Sequence, residues 1–136
     1  MDRIRYREGY KYQLAEAYRV LTAVKPERFI KTTFLRLDTE GELYILEGYA
    51  WDGPSGPTVD TSDFMRGSLV HDALYQLMRE GHLDPAIWRV VADGELVRIC
   101  KEDGMPAFRR AYVYAGVRFG GGPNATGGDS PVIEAP

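Results

Sequence analysis

The chain has 136 residues, of which 44% are hydrophobic and 27% charged, and a formal net charge of −3. That size and balance fit one folded domain with a single core and exclude general disorder. The negative charge argues against nucleic-acid binding through a broad basic face, and the single cysteine, Cys100, excludes an internal disulfide.

The opening residues, MDRIRYREGYKYQ, mix both charge signs without an apolar stretch, so they do not read as a secretory signal. No apolar run approaches the roughly 18 residues that a membrane-spanning helix needs. The first third then reads as strands. YQLAEAYRVLTAV fits two periods, because Leu14, Ala17, Tyr18 and Leu21 would also suit a helix. The β-branched and aromatic residues of YRVLTAV favour a strand at its end. RFIKTTFLRLD and ELYILEGYA read as two further strands, folded into a hairpin by Asp38 and Gly41 of the intervening DTEG. Residues 50–63, AWDGPSGPTVDTSD, are too rich in glycine, proline and aspartate to continue a strand or a helix.

Three helices follow. Ser62 or Asp63 is the expected N-cap of the first, which runs from about Phe64 to Glu80 and stops at Gly81. Asp84 and Pro85 open the second as N-cap and first helical residue, and it ends near Gly104. Pro106 opens the third, PAFRRAYVYAGVRF, which Gly120, Gly121 and Gly122 close. The expected fold is therefore α+β: antiparallel strands over about 1–50, a loop over 50–63 and helices over about 64–119, all in one domain spanning 1–122. Residues 123–136 have the composition of a flexible or partner-held tail.

The chemistry gathers on the first two helices. His71 is one of two histidines in the chain and is followed directly by Asp72, within GSLVHDALYQLMREG. His71 and Tyr75 are four residues apart and share a helix face, while Asp72 points to an adjacent direction. Asp93 on the second helix sits between Ala92 and Gly94, small neighbours that would let another backbone approach and bring the carboxylate to His71. An imidazole bonded to a carboxylate is held in one tautomer, with its other nitrogen free to take a proton. The same four residues equally describe a buried polar lock between two helices.

HDALY also resembles the His-Asp-x-x-Tyr stretch on the catalytic helix of secretory phospholipase A2, and its spacing to Asp93 is similar to that of the short bacterial members. The resemblance implies an antiparallel helix pair and calcium-dependent hydrolysis of a phospholipid or another ester. His71 would be general base towards water, Asp93 would orient it and Tyr75 would position Asp93. Asp72 would hold calcium with backbone carbonyls around Trp51, Gly53 and Ser55; Asp52 and Asp60 are further ligand candidates or plain turn residues. Ser68 and Leu74 stand where the secretory enzymes carry cysteines.

Across residues 40–122 the chain is also similar to a family of small uncharacterised proteins of tailed bacteriophages and prophages. The matching stretches are GYAWDGPSGPTVDT, LVHDALY, VVAD and AGVRFGGG. That resemblance implies a protein of the bacterial host cytoplasm or of the virion. As a non-catalytic virion, tail or assembly component it would use the tail to reach other phage proteins.

Other chemistries find less support. An HD-type phosphohydrolase needs histidine ligands upstream of His71, and none exists. His82 has no Cys/His cluster to make a zinc site. GPSG around Ser55 is not a strand–turn–helix nucleophile elbow. Cys100 lies on an apolar stripe and reads as packing, and Arg109, Arg110 and Arg118 read as a solvated face.

Overall fold

The structure is a computed structural model that describes residues 3–7, 12–51 and 61–120. Along these, the order is β1 (Tyr6–Arg7), β2 (Tyr12–Leu14), β3 (Tyr18–Leu21), β4 (Ile30–Lys31), β5 (Leu35–Leu37), β6 (Glu42–Ile45) and β7 (Ala50–Trp51), then α1 (Ser62–Arg79), α2 (Pro85–Glu102) and α3 (Ala107–Gly120). The strands form two antiparallel sheets, ordered β1-β2-β7 and β3-β6-β5-β4. This is the expected α+β arrangement, with strands first and three helices after them. The tail 123–136 and most of the glycine-rich loop lie outside the described residues.

Alternation along the central strands selects their buried face. Leu35, Leu37, Leu43 and Ile45 point inward and are fully buried, whereas Arg36 and Tyr44 between them are half-buried on the opposite side. The expected β5–β6 hairpin closes through Asp38, whose Oδ1 accepts from the amides of Glu40 and Glu42, both at 2.9 Å. Gly41 takes a φ of +94° there, and a Cβ would lie 2.2 Å from the Thr22 carbonyl oxygen.

Two expected strands are corrected: ELYILEGYA ends its pairing at Ile45 and resumes at Ala50 as β7 of the other sheet, within the stretch expected to be loop, and RFIKTTFLRLD is not one strand. It breaks at Thr32, and β4 turns back to pair with β5, Ile30 opposite Leu37. Thr32 holds that turn from both sides, its amide donating to the Leu35 carbonyl at 2.9 Å and its Oγ1 accepting the Leu35 amide at 3.1 Å. Such side-chain bonds to nearby backbone compete with a continuous strand.

Helix α1 is the centre of the molecule, with 13 of its 18 residues buried. Leu69, Val70, Ala73, Leu74 and Leu77 join the strand leucines, Tyr49 and Ile99 in the main core. Its N-cap is Thr61, one residue before Ser62 and two before Asp63, the expected candidates; the Thr61 hydroxyl donates to Asp63 Oδ1 rather than capping a backbone amide. Gly81, at φ +83°, ends the helix, and Asp84 opens α2 with its Oδ1 accepting the Ala86 amide at 2.9 Å.

The link between α1 and α2 is short, so the two run antiparallel, and Gly67 sets how closely they pack. A Cβ on Gly67 would lie 2.9 Å from Cys100 Sγ, 3.0 Å from Leu96 Cδ1 and 3.1 Å from the Leu96 carbonyl oxygen. The side chain of Arg66 is 5% exposed and bonds Tyr18 Oη at 2.8 Å, Asp103 at 3.0 Å and Glu102 at 2.8 Å, fastening β3, α1 and the end of α2 together. Helix α3 is attached differently: of its residues only Val113 is buried, in a smaller cluster with Phe64, Leu96, Cys100 and Met105. No helix among the described residues is long and apolar enough to cross a membrane.

Candidate functional site

The helical repeat places Gly67, His71 and Tyr75 on one stripe of α1, facing α2. Because Gly67 lets the helices approach, the polar side chains one and two turns later meet across the interface. His71 Nε2 lies 2.7 Å from Asp93 Oδ1, and the Tyr75 hydroxyl donates to the same oxygen at 2.5 Å. The imidazole and phenol rings lie alongside each other with centroids 4.1 Å apart. Asp93 has no exposed surface, and the side chain of His71 is 9% exposed.

The other carboxylate oxygen has its own donor. Arg118 Nη1, from the last turn of α3, lies 2.8 Å from Asp93 Oδ2. Burial pushes the Asp93 carboxyl upward, but the hydrogen bonds from His71, Tyr75 and Arg118 outweigh it and hold the group below the usual carboxylate range. A carboxylate only accepts, so His71 Nε2 carries the shared proton. In the neutral imidazole Nδ1 then bears the lone pair. Burial first, and the Asp93 carboxylate second, raise the Tyr75 hydroxyl far above its ordinary value, so it stays a donor.

A second cationic group approaches from α2. Arg89 Nη2 donates to the carbonyls of Val117 at 3.2 Å and Arg118 at 2.6 Å, capping the end of α3 where Arg118 turns inward. Its Nε is buried without a hydrogen-bond partner among the described residues.

The three residues expected to work together, His71, Tyr75 and Asp93, are thus brought together. Asp72 is half-buried at the adjacent position of α1. Trp51 is a β7 core residue, 2% exposed, whose indole donates to Ser68 Oγ at 3.1 Å and packs against the rings of Tyr6 and Tyr12. Gly53 and Ser55, with Asp52 and Asp60, lie outside the described residues. Among the described residues no group of three or more His, Cys, Asp or Glu side chains gathers to hold a metal ion. The expected site pairs Asp72 with backbone carbonyls of the loop, and of these only that of Trp51 falls within the described residues.

Two expectations are corrected. Arg109, Arg110 and Arg118 do not form a solvated face: Arg118 enters the Asp93 cluster, Arg109 faces Asp63 at 3.6 Å, and Arg110 Nη1 donates to the Met105 carbonyl at 2.6 Å. Nor does Gly94 provide the close approach beside Asp93, since a Cβ there would meet nothing within 4 Å. Gly67 has that role, and its signal was present in the sequence as a small residue four before His71. Cys100 is buried and its thiol is pushed up to about 12 by that burial, which suits packing and not nucleophilic attack. His82 sits apart, exposed, near Glu80 at 3.9 Å.

Compared with known proteins, the chain matches no family model, no curated protein and no solved structure.

Proposed function

We propose that the His71–Asp93–Tyr75 cluster is a water-activating site of phospholipase A2 type, which hydrolyses an ester, with a lipid acyl ester as the favoured class. The observation that carries this reading is the bond from His71 Nε2 to a fully buried carboxylate, which leaves Nδ1 as the basic atom. His71 Nδ1 takes a proton from water as the water oxygen bonds to the ester carbonyl carbon. The carbonyl re-forms as the C–O bond to the alcohol breaks, and the imidazolium returns the proton to the leaving oxygen. General base catalysis of this kind contributes roughly 10²–10⁴-fold. Asp93 stabilises the imidazolium between the two steps, and Tyr75 and Arg118 fix Asp93. Asp72, beside His71, is the proposed calcium ligand; oxygen ligands suit that ion. The resemblance of GYAWDGPSGPTVDT, LVHDALY, VVAD and AGVRFGGG to stretches of tailed-phage and prophage proteins supports a role in the host cytoplasm or the virion.

The second reading is a polar lock in a non-catalytic phage component. The observation favouring it is the Arg118–Asp93 pair, which pins α3 to the other two helices whether or not water is activated.

Fatty-acid release from mixed micelles separates them. The catalytic reading predicts release by the wild type and none by His71→Gln at equal folded fraction. Calorimetric calcium titration should show binding that Asp72→Asn abolishes. A wild type that releases no fatty acid, with His71→Gln changing only stability, leaves the lock.

A further inference from the structure

Helix α3 is turned inside out relative to an ordinary surface helix. Its three arginines point towards the body of the protein, to Asp93, Asp63 and the Met105 carbonyl, and it contains no acidic residue. Three of its four aromatic residues share an outward face: Phe108 is 79% exposed, Tyr112 57% and Phe119 91%, while Tyr114, at 37%, lies to one side of it. With Ala115, which is also exposed, Phe108, Tyr112 and Phe119 fall within about 60° of one another around the helix axis. Their spacing of four, three and four residues is the narrow seam by which one helix packs along another, not the broad stripe of a helix laid on a core.

We propose that this seam pairs antiparallel with the same helix of a second copy of the chain. The pattern is self-complementary about a two-fold axis between Val113 and Tyr114. Phe108 then lies across from the second copy's Phe119, and Tyr112 lies across from its Ala115, large against small. An isologous contact of this kind closes at two copies. Gly116 borders the seam with open space where a Cβ would stand, so the backbones can approach. A lipid surface would require cations at the rim of the aromatic face, whereas α3 directs its arginines inward. At their observed exposures the three aromatic side chains present on the order of 450 Å² per copy. Both copies together then bury close to the roughly 1,000 Å² at which specific interfaces begin, so the dimer is weak and concentration-dependent.

Sedimentation of the full chain across about 10–1,000 μM tests this, since weak interfaces dissociate within that range. The apparent mass should rise from 15.3 kDa towards twice that value, and Phe119→Glu or Phe108→Glu should each hold it at the monomer. Both sites are exposed, so neither change disturbs the core. A Phe108→Cys and Phe119→Cys double variant should give a disulfide-linked dimer on oxidation, and Phe108→Cys alone should not. A monomer at every concentration overturns the proposal, as does a dimer indifferent to Phe119→Glu. Cross-linking of Phe108→Cys alone, the parallel result, also overturns it. A monomer that co-sediments with phosphatidylglycerol vesicles would assign the face to lipid instead.

Discussion

Replacing Asp93 by asparagine keeps the shape of the side chain and removes its charge. The wild-type carboxylate accepts from His71 and Tyr75 on Oδ1 and from Arg118 on Oδ2. Asparagine offers one accepting oxygen and an NH₂ that only donates, so at least one partner must turn away or change its role. If the oxygen stays with His71 and Tyr75, the amide opposes Arg118, whose side chain is 30% exposed and can turn to water. The reverse orientation keeps Arg118 but requires Tyr75 to accept and His71 to change tautomer, so the wild-type proton positions are lost. Breaking a buried pair costs about 3–5 kcal/mol, and the solvent available to Arg118 lowers this, giving about 2–4 kcal/mol for Asp93→Asn. Urea unfolding should show a lower midpoint at unchanged slope, and Tm should fall by about 6–15 °C. Arg118→Gln should lose less, because the partner it abandons keeps two donors. A loss below about 1 kcal/mol for Asp93→Asn would refute the claim that this carboxylate organises three helices.

The helix interface itself makes a separate prediction. Gly67→Ala gains about 1 kcal/mol of helix preference but forces overpacking worth about 1–3 kcal/mol against Leu96 and Cys100. It should therefore be destabilising in chemical unfolding, while Gly94→Ala, in open space, should stabilise; equal stability of the two variants would contradict the packing. Asp93 also sets an acid limb. Its folded-state value is lowered, so its contribution is complete above the unfolded value of 3.8 and is lost as pH falls towards the lower folded one. The midpoint-versus-pH curve of the wild type should thus fall more steeply below pH 4 than that of Asp93→Asn. At the alkaline end the sign reverses for Cys100, raised from 9.0 to about 12: the unfolded thiol ionises first, so stability drops as pH rises above 9. A disulfide reagent should label Cys100 only as fast as the protein unfolds.

Much of this architecture is legible in the residues because it is local. Asp84-Pro85, Gly81 and Gly104 punctuate the helices through backbone preferences that act at those positions, and the Asp38–Gly41 turn does the same for its hairpin. The meeting of His71, Tyr75 and Asp93 also follows from short-range rules, a four-residue helical spacing and a tight link that folds α2 back on α1. What the sequence conceals depends on reach across elements. Arg118 looks like any arginine at the end of a helix, and only the position of α3 brings it to Asp93. The break at Thr32 is hidden because its stretch has strand composition throughout, and the turn relies on a hydroxyl–amide bond within it. Gly67 and Gly94 are alike in sequence, and packing alone tells the close approach from the open one.

Asp93 accepts the proton of His71 Nε2, which places the lone pair of the neutral imidazole on Nδ1. Nitrogen-15 NMR of the His71 imidazole, in its neutral form, reads this directly. It should show Nε2 protonated and Nδ1 bare in the wild type, with that preference weakened in Asp93→Asn. A neutral His71 protonated on Nδ1 would rule out its role as the base, because the atom that takes the proton from water would already carry one.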